Sequence, residues 1–340
     1  MLTHRQKNVL NAIVDDHIRT ATPIASESLV RNHRLGVSSA TIRNDLAHLE
    51  EQGYLSRPHS SAGCVPLDKA YRFHVEYLMD METIYVTPLT QRSLRKQFQN
   101  VEPHVDEWTS VASTALSDVV DNMAIVTFPK AREPRVRHFE LIPLQECLVL
   151  VVVVLEQARL KQQVIRLSEH IEIDELTTLA NRVKNHLIGF TYREISSNKF
   201  TFNPLEEKLM NVATLILQDE DDALYREHYV DGLRNLLNQP EFTENSKIRS
   251  LNESVEDRSL VQAVLEETPS GNIVKVVIGQ ENRGDILWQL SVVLCKYGIP
   301  NEAYGVVGVV GPTRMEYSRT IGAVKFMSSI MSEFVEDMSS

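Results

Sequence analysis

The sequence predicts an α+β multidomain protein with an N-terminal winged helix-turn-helix domain. At about 100–200 residues per domain, the 340 residues of the chain correspond to two or three domains. Three short helical patterns precede Gly53, and a mixture of strand and helix patterns follows from residue 103 onward. A helical N-terminal part followed by mixed elements is typical of this fold class.

The first helix is predicted by a capping box, because Thr3 stands three residues before Gln6. Apolar residues follow at helical spacing, and the helix is expected to end near Thr20. A Thr-Pro pair then breaks the pattern. Ser26 opens a second, short helix before the chain turns again.

The third helix is the most informative element of this part. It begins at the capping residue Ser38 and has a stripe of Ile42, Leu46 and Leu49 at positions i, i+4 and i+7. Gly53 ends the helix. Three short helices of this kind form a helix-turn-helix layout.

A wing hairpin is predicted directly after the third helix. Residues 55–66 contain two short extended pieces around a polar, glycine-containing turn. Ala70–Met81 has a helical pattern that leads out of the domain. We therefore assign residues 1–75 to a winged helix-turn-helix DNA-binding domain and residues 76–102 to linker helices.

Strand patterns dominate the next part of the chain. Runs rich in Val, Ile and Leu occur at Ala124–Phe128, Arg135–Ile142, Cys147–Leu155 and Lys161–Leu167. An amphipathic helix capped by Asp174 follows them. Strand patterns resume at Ile273–Ile278, Leu287–Leu294 and Ala303–Val310, before a closing helix with a predicted capping box of Thr313 and Glu316.

Residues 198–250 interrupt this strand-rich sequence with a helical and acidic stretch, in which Asn-Pro and Gln-Pro breaks lie around the helices. A helical stretch between two strand-rich halves indicates an insertion into one domain. We therefore predict one α+β domain over residues 103–197 and 251–340, with the inserted segment over residues 198–250.

The composition excludes several classes of protein. The longest apolar run, Leu148–Leu155, is far shorter than the roughly 18–20 residues that cross a bilayer, and the N-terminus lacks the apolar core of a signal peptide. We therefore expect a cytoplasmic protein with no membrane contact. Cys64, Cys147 and Cys295 are widely spaced, which predicts reduced thiols.

The sequence contains none of the common enzyme motifs, such as a nucleophile elbow, a P-loop, a zinc-protease helix or a dinucleotide-binding glycine loop. Gly305, Gly308 and Gly311 favour a tight strand and turn over a phosphate loop. His59, Cys64 and His74 do not have the spacing of a common metal site. We predict no catalytic residues, no cofactor and no metal.

The charge is unevenly distributed. The net charge is −11, yet residues 1–75 carry nine Lys or Arg against seven Asp or Glu, together with six of the eleven His. The acidic total therefore does not exclude nucleic-acid binding by the N-terminal domain.

DNA binding is one interpretation of the third helix and the wing. With the apolar stripe buried, Asn44 points outward, close to the small residues Ala40 and Ala47. Arg and Asn match the base edges of guanine and adenine, whereas hydroxyl groups and a helix N-terminus suit phosphate oxygens. The other interpretation is a solvated helix, favoured by Glu50 and Glu51, followed by an ordinary surface hairpin. The candidate DNA-binding residues are Ser39, Ala40, Thr41, Arg43, Asn44 and His48 on the helix and Arg57, His59, Ser60 and Ser61 on the wing.

Two stretches resemble the HrcA family of heat-inducible transcription repressors. The first runs from Val37 through the third helix and wing to Gly63, and includes Ser38-Ser39-Ala40-Thr41-Ile42-Arg43-Asn44-Asp45-Leu46. The second is Gly308-Val309-Val310-Gly311-Pro312-Thr313-Arg314-Met315-Glu316-Tyr317 near the C-terminus. The order of the motifs and the chain length also fit, so the resemblance covers nearly the whole chain.

The resemblance implies three parts: a winged helix, a GAF-like α+β domain, and an inserted helical dimerising segment. It also implies a repressor of chaperone operons such as groE and dnaK, which binds the inverted-repeat CIRCE operator in double-stranded DNA. The chaperonin GroEL is expected to maintain its activity, and heat to divert GroEL to unfolded proteins. An inverted repeat requires a two-fold symmetric reader, so a homodimer is expected.

The sequence departs from the family pattern in the wing, where Cys64 stands in place of the usual Arg and Leu67 in place of Thr. Loss of that Arg removes a phosphate contact, for which Arg57 and Lys69 are candidate replacements. Two other functions remain open. The middle domain could sense a metabolite, or the winged helix could be an accessory to an enzyme.

Overall fold

The computed structural model describes residues 2–33, 35–59, 62–80, 86–98, 105–131, 134–156, 160–167, 171–197, 202–222, 227–269, 271–300 and 302–339. These form two compact units. The first unit comprises Met1–Pro129, His228–Ile299 and Gly305–Ser340, and the second comprises Lys130–Glu227 and Pro300–Tyr304. The predicted site residues Ser60 and Ser61 lie outside the described residues.

The N-terminal part of the first unit is the predicted winged helix-turn-helix. Its elements are α1 (His4–Thr20), α2 (Ser26–Asn32), α3 (Ser39–Glu51), β1 (Leu55–Ser56), β2 (Val65–Pro66) and α4 (Asp68–Asp80). The capping box at the start of α1 is confirmed, because the Thr3 hydroxyl accepts a hydrogen bond from the Gln6 amide while Gln6 Oε1 accepts one from the Thr3 amide. We refer to residues 2–80 as the winged-helix domain.

The wing is a small antiparallel sheet with an additional bridge to the segment before α2. Strand β1 pairs with β2, and Ile24 and Cys64 exchange two backbone hydrogen bonds of 2.9 Å each. The backbone of Gly63 lies so close to Ile24 that a Cβ at position 63 would be 2.5 Å from the Ile24 carbonyl carbon. Only glycine fits this position without displacing the wing.

The remaining elements follow in chain order: α5 (Pro88–Gln97), α6 (Val105–Val120), β3 (Met123–Thr127), β4 (Lys130–Ala131), β5 (Val136–Gln145), β6 (Leu148–Leu155), β7 (Leu160–Arg166), α7 (Ile173–Leu187), α8 (Tyr192–Ser197), α9 (Pro204–Asp222), β8 (His228–Asp231), α10 (Leu233–Leu237), α11 (Asn245–Glu256), α12 (Ser259–Glu266), β9 (Lys275–Ile278), β10 (Leu290–Ile299), β11 (Ala303–Pro312) and α13 (Tyr317–Ser339). They belong to a mixed α+β fold, as predicted.

The first unit contains an antiparallel sheet in the order β8-β3-β11-β10-β9. Helices α6 and α13 pack against it around the buried Trp108, whose ring stacks on Phe334 and meets Tyr297 edge-on. Gly308 lies within β11, where a Cβ would collide with the Leu294 side chain of the neighbouring strand. The glycines of this stretch therefore belong to a strand, as expected. We call this sheet with its helices the core domain.

The second unit contains the three-stranded antiparallel sheet β5-β6-β7. One face of the sheet is buried against α7 and α9, with Val149, Val151 and Val153 of β6 at its centre. The other face carries aliphatic side chains together with Glu140 and Gln162, which pair on either side of Val152.

Three local predictions were wrong. The helix after β7 begins at Ile173 and its N-cap is Glu172, so Asp174 lies in the first turn. The strand predicted from Leu287 starts at Leu290, because residues Asp285–Leu287 form a 3-10 helix. The closing helix begins at Tyr317, so Thr313 and Glu316 do not form its capping box.

The compact units also divide the chain differently from the predicted insertion at residues 198–250. Helix α9 from that stretch belongs to the second unit, whereas β8 pairs with β3 in the first unit. Strand β8 consists of His-Tyr-Val-Asp, which is too short and too polar to be recognised by apolar periodicity.

None of the helices in the described parts of the chain is long and apolar enough to span a membrane. All three cysteines are free, with Cys64 and Cys295 buried and Cys147 partly buried. Among the described residues, no group of three or more His, Cys, Asp or Glu is placed to hold a metal ion.

Candidate nucleic-acid interface

Helix α3 begins with a hydroxyl-capped turn. The Ser38 hydroxyl accepts a hydrogen bond from the Thr41 amide at 3.3 Å and lies 3.1 Å from the Thr41 hydroxyl. Ser39 is half-buried and Ala40 is exposed. An exposed helix N-terminus with hydroxyl side chains carries the partial positive charge that phosphate oxygens require.

The rotation of α3 about its axis is set by what it buries. Ile42 and Leu49 are fully buried and Leu46 is 2% exposed, which confirms the predicted stripe. Burial of each of these side chains is worth about 1.5–3 kcal/mol, so the helix cannot rotate without a large loss of stability. Arg43 and Asn44 are consequently exposed on the outward face of the helix.

The outward face of α3 carries small side chains next to Asn44. Ala40 and Ala47 are exposed and small, so another molecule can approach the helix backbone closely on either side of Asn44. His48 is half-buried, with its Nδ1 atom 3.8 Å from a Glu51 carboxylate oxygen. The face therefore combines two base-matching side chains with little steric obstruction.

Arg43 is held by residues of the preceding helix. Its Nε donates to the Ser26 hydroxyl at 3.3 Å, and its Nη2 donates to Glu27 Oε1 at 3.2 Å. The side chains of Arg43 and Glu27 are 62% and 78% exposed, so the ion pair contributes at most about 1 kcal/mol. A stronger acceptor can therefore replace Glu27. Sequence reasoning missed both partners of Arg43, because they lie on another helix and outside any motif.

A shallow groove of about 340 Å³ separates α2 and α3 from the wing. Arg57 lines this groove, and its Nε lies 3.2 Å from Glu50 Oε2. The neighbouring Cys64, together with Glu50, raises the pKa of the Arg57 guanidinium. Arg57 is therefore tied to the base of the wing rather than extended freely into solvent.

Cys64 lies inside the winged-helix domain and is only 1% exposed. Burial raises the pKa of its thiol, so the residue is neutral and has no surface from which to contact a phosphate. Lys69, one of the two candidate replacements for the usual arginine, donates to the Gln52 carbonyl at 2.8 Å and lies 4.3 Å over the Tyr54 ring. Its ammonium group therefore satisfies a backbone carbonyl at the C-terminal end of α3.

The described part of the wing places His59 on the surface beside Arg57. The structure thus brings Ser39, Ala40, Thr41, Arg43, Asn44 and His48 together on one helix, with Arg57 and His59 on the adjoining hairpin. This arrangement can present hydrogen-bond donors to a groove and its backbone at the same time.

A winged helix-turn-helix with an exposed, unobstructed third helix, joined to an α+β core, defines a DNA-binding transcription regulator. The family model of the HrcA protein C-terminal domain matches residues 106–321, and that of the DeoR-like helix-turn-helix domain matches residues 27–66. The chain belongs to the HrcA family of transcription repressors, and it is a regulator rather than an enzyme.

Relatives named heat-inducible transcription repressor HrcA match along nearly the whole chain. The relative from Dehalococcoides mccartyi is 38% identical, over 99% of this chain and 97% of its own length. The relatives from Roseiflexus castenholzii and Chloroflexus aurantiacus are 35% and 34% identical, each over 99% of this chain and 95% of their own lengths.

A solved structure supports the fold. The crystal structure of a hypothetical protein at 2.2 Å resolution matches with a TM-score of 0.64 and 24% sequence identity, and the match covers 99% of each chain.

Proposed function

We propose that this chain is a dimeric repressor of chaperone operons such as groE and dnaK, and that it binds the inverted-repeat CIRCE operator. The observation that carries the proposal is the pair Arg43 and Asn44, exposed on the outward face of α3 between two alanines. An inverted repeat requires two copies of this face, related by a two-fold axis.

In this proposal α3 enters the major groove. Arg43 leaves Glu27 to donate to a guanine, and Asn44 pairs with an adenine. Ser39, Thr41 and the N-terminus of α3 contact phosphate oxygens, and His48 lies at the margin of the groove. Arg57, His59, Ser60 and Ser61 of the wing contact the backbone or the minor groove.

The second unit offers a surface for dimerisation on the open face of its sheet. Strand register aligns Ile142, Leu150 and Val164 in one row across the three strands. Val154 and Leu160 are paired further along the same face. Ile142, Val164 and Leu160 are 39%, 52% and 58% exposed, which is unusual for aliphatic side chains so close together.

We name this surface the dimer face: Ile142, Leu150, Val154, Leu160 and Val164. A second copy of the chain would cover it with the same residues, as an isologous interface requires. Helix α9, from the predicted dimerising segment, packs on the opposite side of the same sheet and supports it.

The core domain is the part that we assign as GAF-like, on the basis of the family resemblance and its central antiparallel sheet. The chaperonin GroEL maintains the active repressor in this proposal, and heat withdraws GroEL to unfolded proteins. The relatives' names state that they are heat-inducible, which supports the proposed response to heat. A repressor of bacterial operons acts in the cytoplasm, where the chromosome lies.

Fluorescence anisotropy of the purified protein tests the proposal. A duplex with the CIRCE repeat and a scrambled duplex are titrated at two salt concentrations, with and without GroEL. We expect tight binding to the repeat only, improved by GroEL. Equal binding to both duplexes that disappears at the higher salt concentration would instead define a nonspecific electrostatic binder.

A further inference from the structure

The C-terminal family motif lies against the winged-helix domain, within the first unit. Arg314 of this motif is nearly buried, with 11% of its side chain exposed. Its Nη1 donates to the Ile18 carbonyl near the end of α1 at 2.8 Å. Its Nε donates to Glu241 Oε1 at 2.6 Å, and its Nη2 donates to Gln239 Oε1 at 3.0 Å. One guanidinium group therefore joins the winged-helix domain to the core domain.

A second contact lies at the start of α4, which directly follows the wing. Asp68 Oδ2 accepts a hydrogen bond from the Gln280 amide at 2.9 Å. Arg72, one turn further along α4, donates to Glu281 Oε1 at 2.8 Å and to the Val276 carbonyl at 2.7 Å. These partners belong to β9 and the 3-10 helix after it, both in the core domain.

Buried aromatic residues fill the space near these polar contacts. The rings of Tyr71 on α4 and Tyr317 on α13 lie 6.2 Å apart, and His17 Nδ1 lies 2.7 Å from the Tyr71 hydroxyl. Tyr317 is 1% exposed and its hydroxyl lies 2.8 Å from the Ser291 hydroxyl in β10. The contact between the two domains thus combines buried aromatic packing with hydrogen bonds, beside a cavity of about 590 Å³ lined by Ile18, Arg314 and Tyr317.

We propose that Arg72 and Arg314 are positioning residues that fix the winged-helix domain on the core domain, and thereby set which spacing between half-sites a dimer accepts. We call Asp68, Arg72 and Arg314 the latch. This inference rests on the proposed function, because spacing matters only for a dimer that reads two half-sites.

Two independent attachments hold the winged-helix domain on the core domain. The latch holds α1 near its C-terminal end and α4 near its N-terminal end, so the domain is attached through two of its helices. Two attachments with a packed aromatic layer oppose rotation, whereas a single flexible link permits it. A fixed domain presents α3 at one position and one angle relative to the core domain, and a loosened domain samples many.

A spacing series tests the inference with the full-length protein. The duplexes carry the inverted repeat with its natural spacing, and with about five or ten base pairs inserted, which are about half a helical turn and one full turn. A duplex with a single half-site measures the affinity of α3 itself. The variants are Arg72→Ala, Arg314→Ala and the conservative Arg314→Lys, and the matched control is Arg249→Ala, because Arg249 is 83% exposed on α11 and pairs only with Glu253 among the contacts described for it.

We expect the wild-type protein to lose at least about tenfold in affinity at the half-turn insertion, because one α3 then faces away from its groove. Arg72→Ala and Arg314→Ala should lose less than about threefold there, with single half-site affinity unchanged, since a loosened domain can follow the displaced groove. Arg249→Ala should keep the wild-type profile, whereas Arg314→Lys, which keeps the charge but cannot bond to all three partners of Arg314 at once, should give an intermediate profile. Circular dichroism confirms that each variant is folded.

A wild-type spacing profile in Arg72→Ala would overturn the inference, and it decides the question even if Arg314→Ala does not fold. A parallel loss of affinity on every duplex, including the single half-site, would also overturn it, because that result indicates damage to the DNA-binding surface. Failure of the proposed function has a different signature: the wild-type protein would not distinguish the repeat from a scrambled duplex.

Discussion

Arg5 and Asp45 form a two-point ion pair that fastens α1 to the buried side of α3. The Arg5 Nε donates to Asp45 Oδ2 at 2.7 Å, and its Nη2 donates to Oδ1 at 3.1 Å. The Asp45 side chain is 5% exposed, whereas that of Arg5 is 49% exposed. Breaking the pair therefore costs more free energy when Asp45 is left without a partner than when Arg5 is.

We expect Arg5→Ala to destabilise the winged-helix domain more than Asp45→Asn. The first variant leaves a buried carboxylate without its counter-charge, at a cost of about 1–3 kcal/mol, whereas the second leaves an arginine that water can solvate. Amide hydrogen exchange in α3 measures the difference. Equal protection of α3 in the two variants would contradict this explanation.

Asn44→Ala should reduce the affinity for the operator by about 1–3 kcal/mol, because the bidentate contact with a base is lost. Binding to a scrambled duplex should hardly change, since that binding depends on phosphate contacts. Anisotropy on both duplexes provides the comparison, with Arg249→Ala as a variant distant from the interface. An equal loss on both duplexes would remove Asn44 from base reading.

Glu27→Gln should strengthen operator binding by up to about fivefold, because the glutamate competes with DNA for Arg43 through a solvent-exposed ion pair. Glu51→Gln is the matched control. It removes the same charge near the end of α3, where the only contact described for Glu51 is its 3.8 Å approach to His48. If both variants bind equally more tightly, the effect is one of net charge and not of release of Arg43.

Val164→Glu should dissociate the dimer, because it places a charge on the dimer face in the same row as Ile142 and Leu150. Leu215→Glu is the control, since Leu215 is 58% exposed on α9 of the same unit but does not lie on the dimer face. Sedimentation equilibrium reports the mass of each variant. A dimeric Val164→Glu together with a monomeric Leu215→Glu would transfer the interface to α9.

Stability should fall between about pH 6.5 and pH 4 because of His17. Burial, together with the nearby charge of Arg314, lowers the pKa of His17 from 6.5 to about 4. As the pH falls, the unfolded chain binds this proton first, so the contribution is complete above about pH 6.5 and decreases towards pH 4. The loss from His17 is up to about 3 kcal/mol.

The variant His17→Gln isolates this effect, because glutamine can bond to Tyr71 without titrating in this range. We expect its melting temperature to fall less than that of the wild-type protein between pH 7 and pH 5. An identical fall in the two proteins would assign the acid sensitivity to other groups. His74 is a natural candidate, since burial also lowers its pKa.

The sequence was most informative where local chemistry decides the structure. The caps at Thr3 and Ser38 each accept the expected hydrogen bond, and the stripe on α3 is buried as its spacing requires. Short-range signals of this kind depend on residues within one turn of a helix.

The features that local sequence patterns did not predict depend on contacts between residues that lie far apart in the chain. Strand β8 is stabilised by its pairing with β3, and the segment before α13 is held by the hydrogen bond from Arg314 to the Ile18 carbonyl. The same holds for the Glu27–Arg43 pair, which joins residues that lie sixteen positions apart on two helices. Such contacts have no periodic signature in the sequence.

The bond from Arg314 to the Ile18 carbonyl spans 296 positions of the chain, so α1 gains this partner only after that many further residues have been made. Strand β3 likewise finds its partner β11 only after the intervening second unit has been synthesised. Contacts of such long sequence separation slow folding and lengthen the time during which apolar surface is open to other proteins. Slow folding of this kind is the property that the proposed link to the chaperonin GroEL requires.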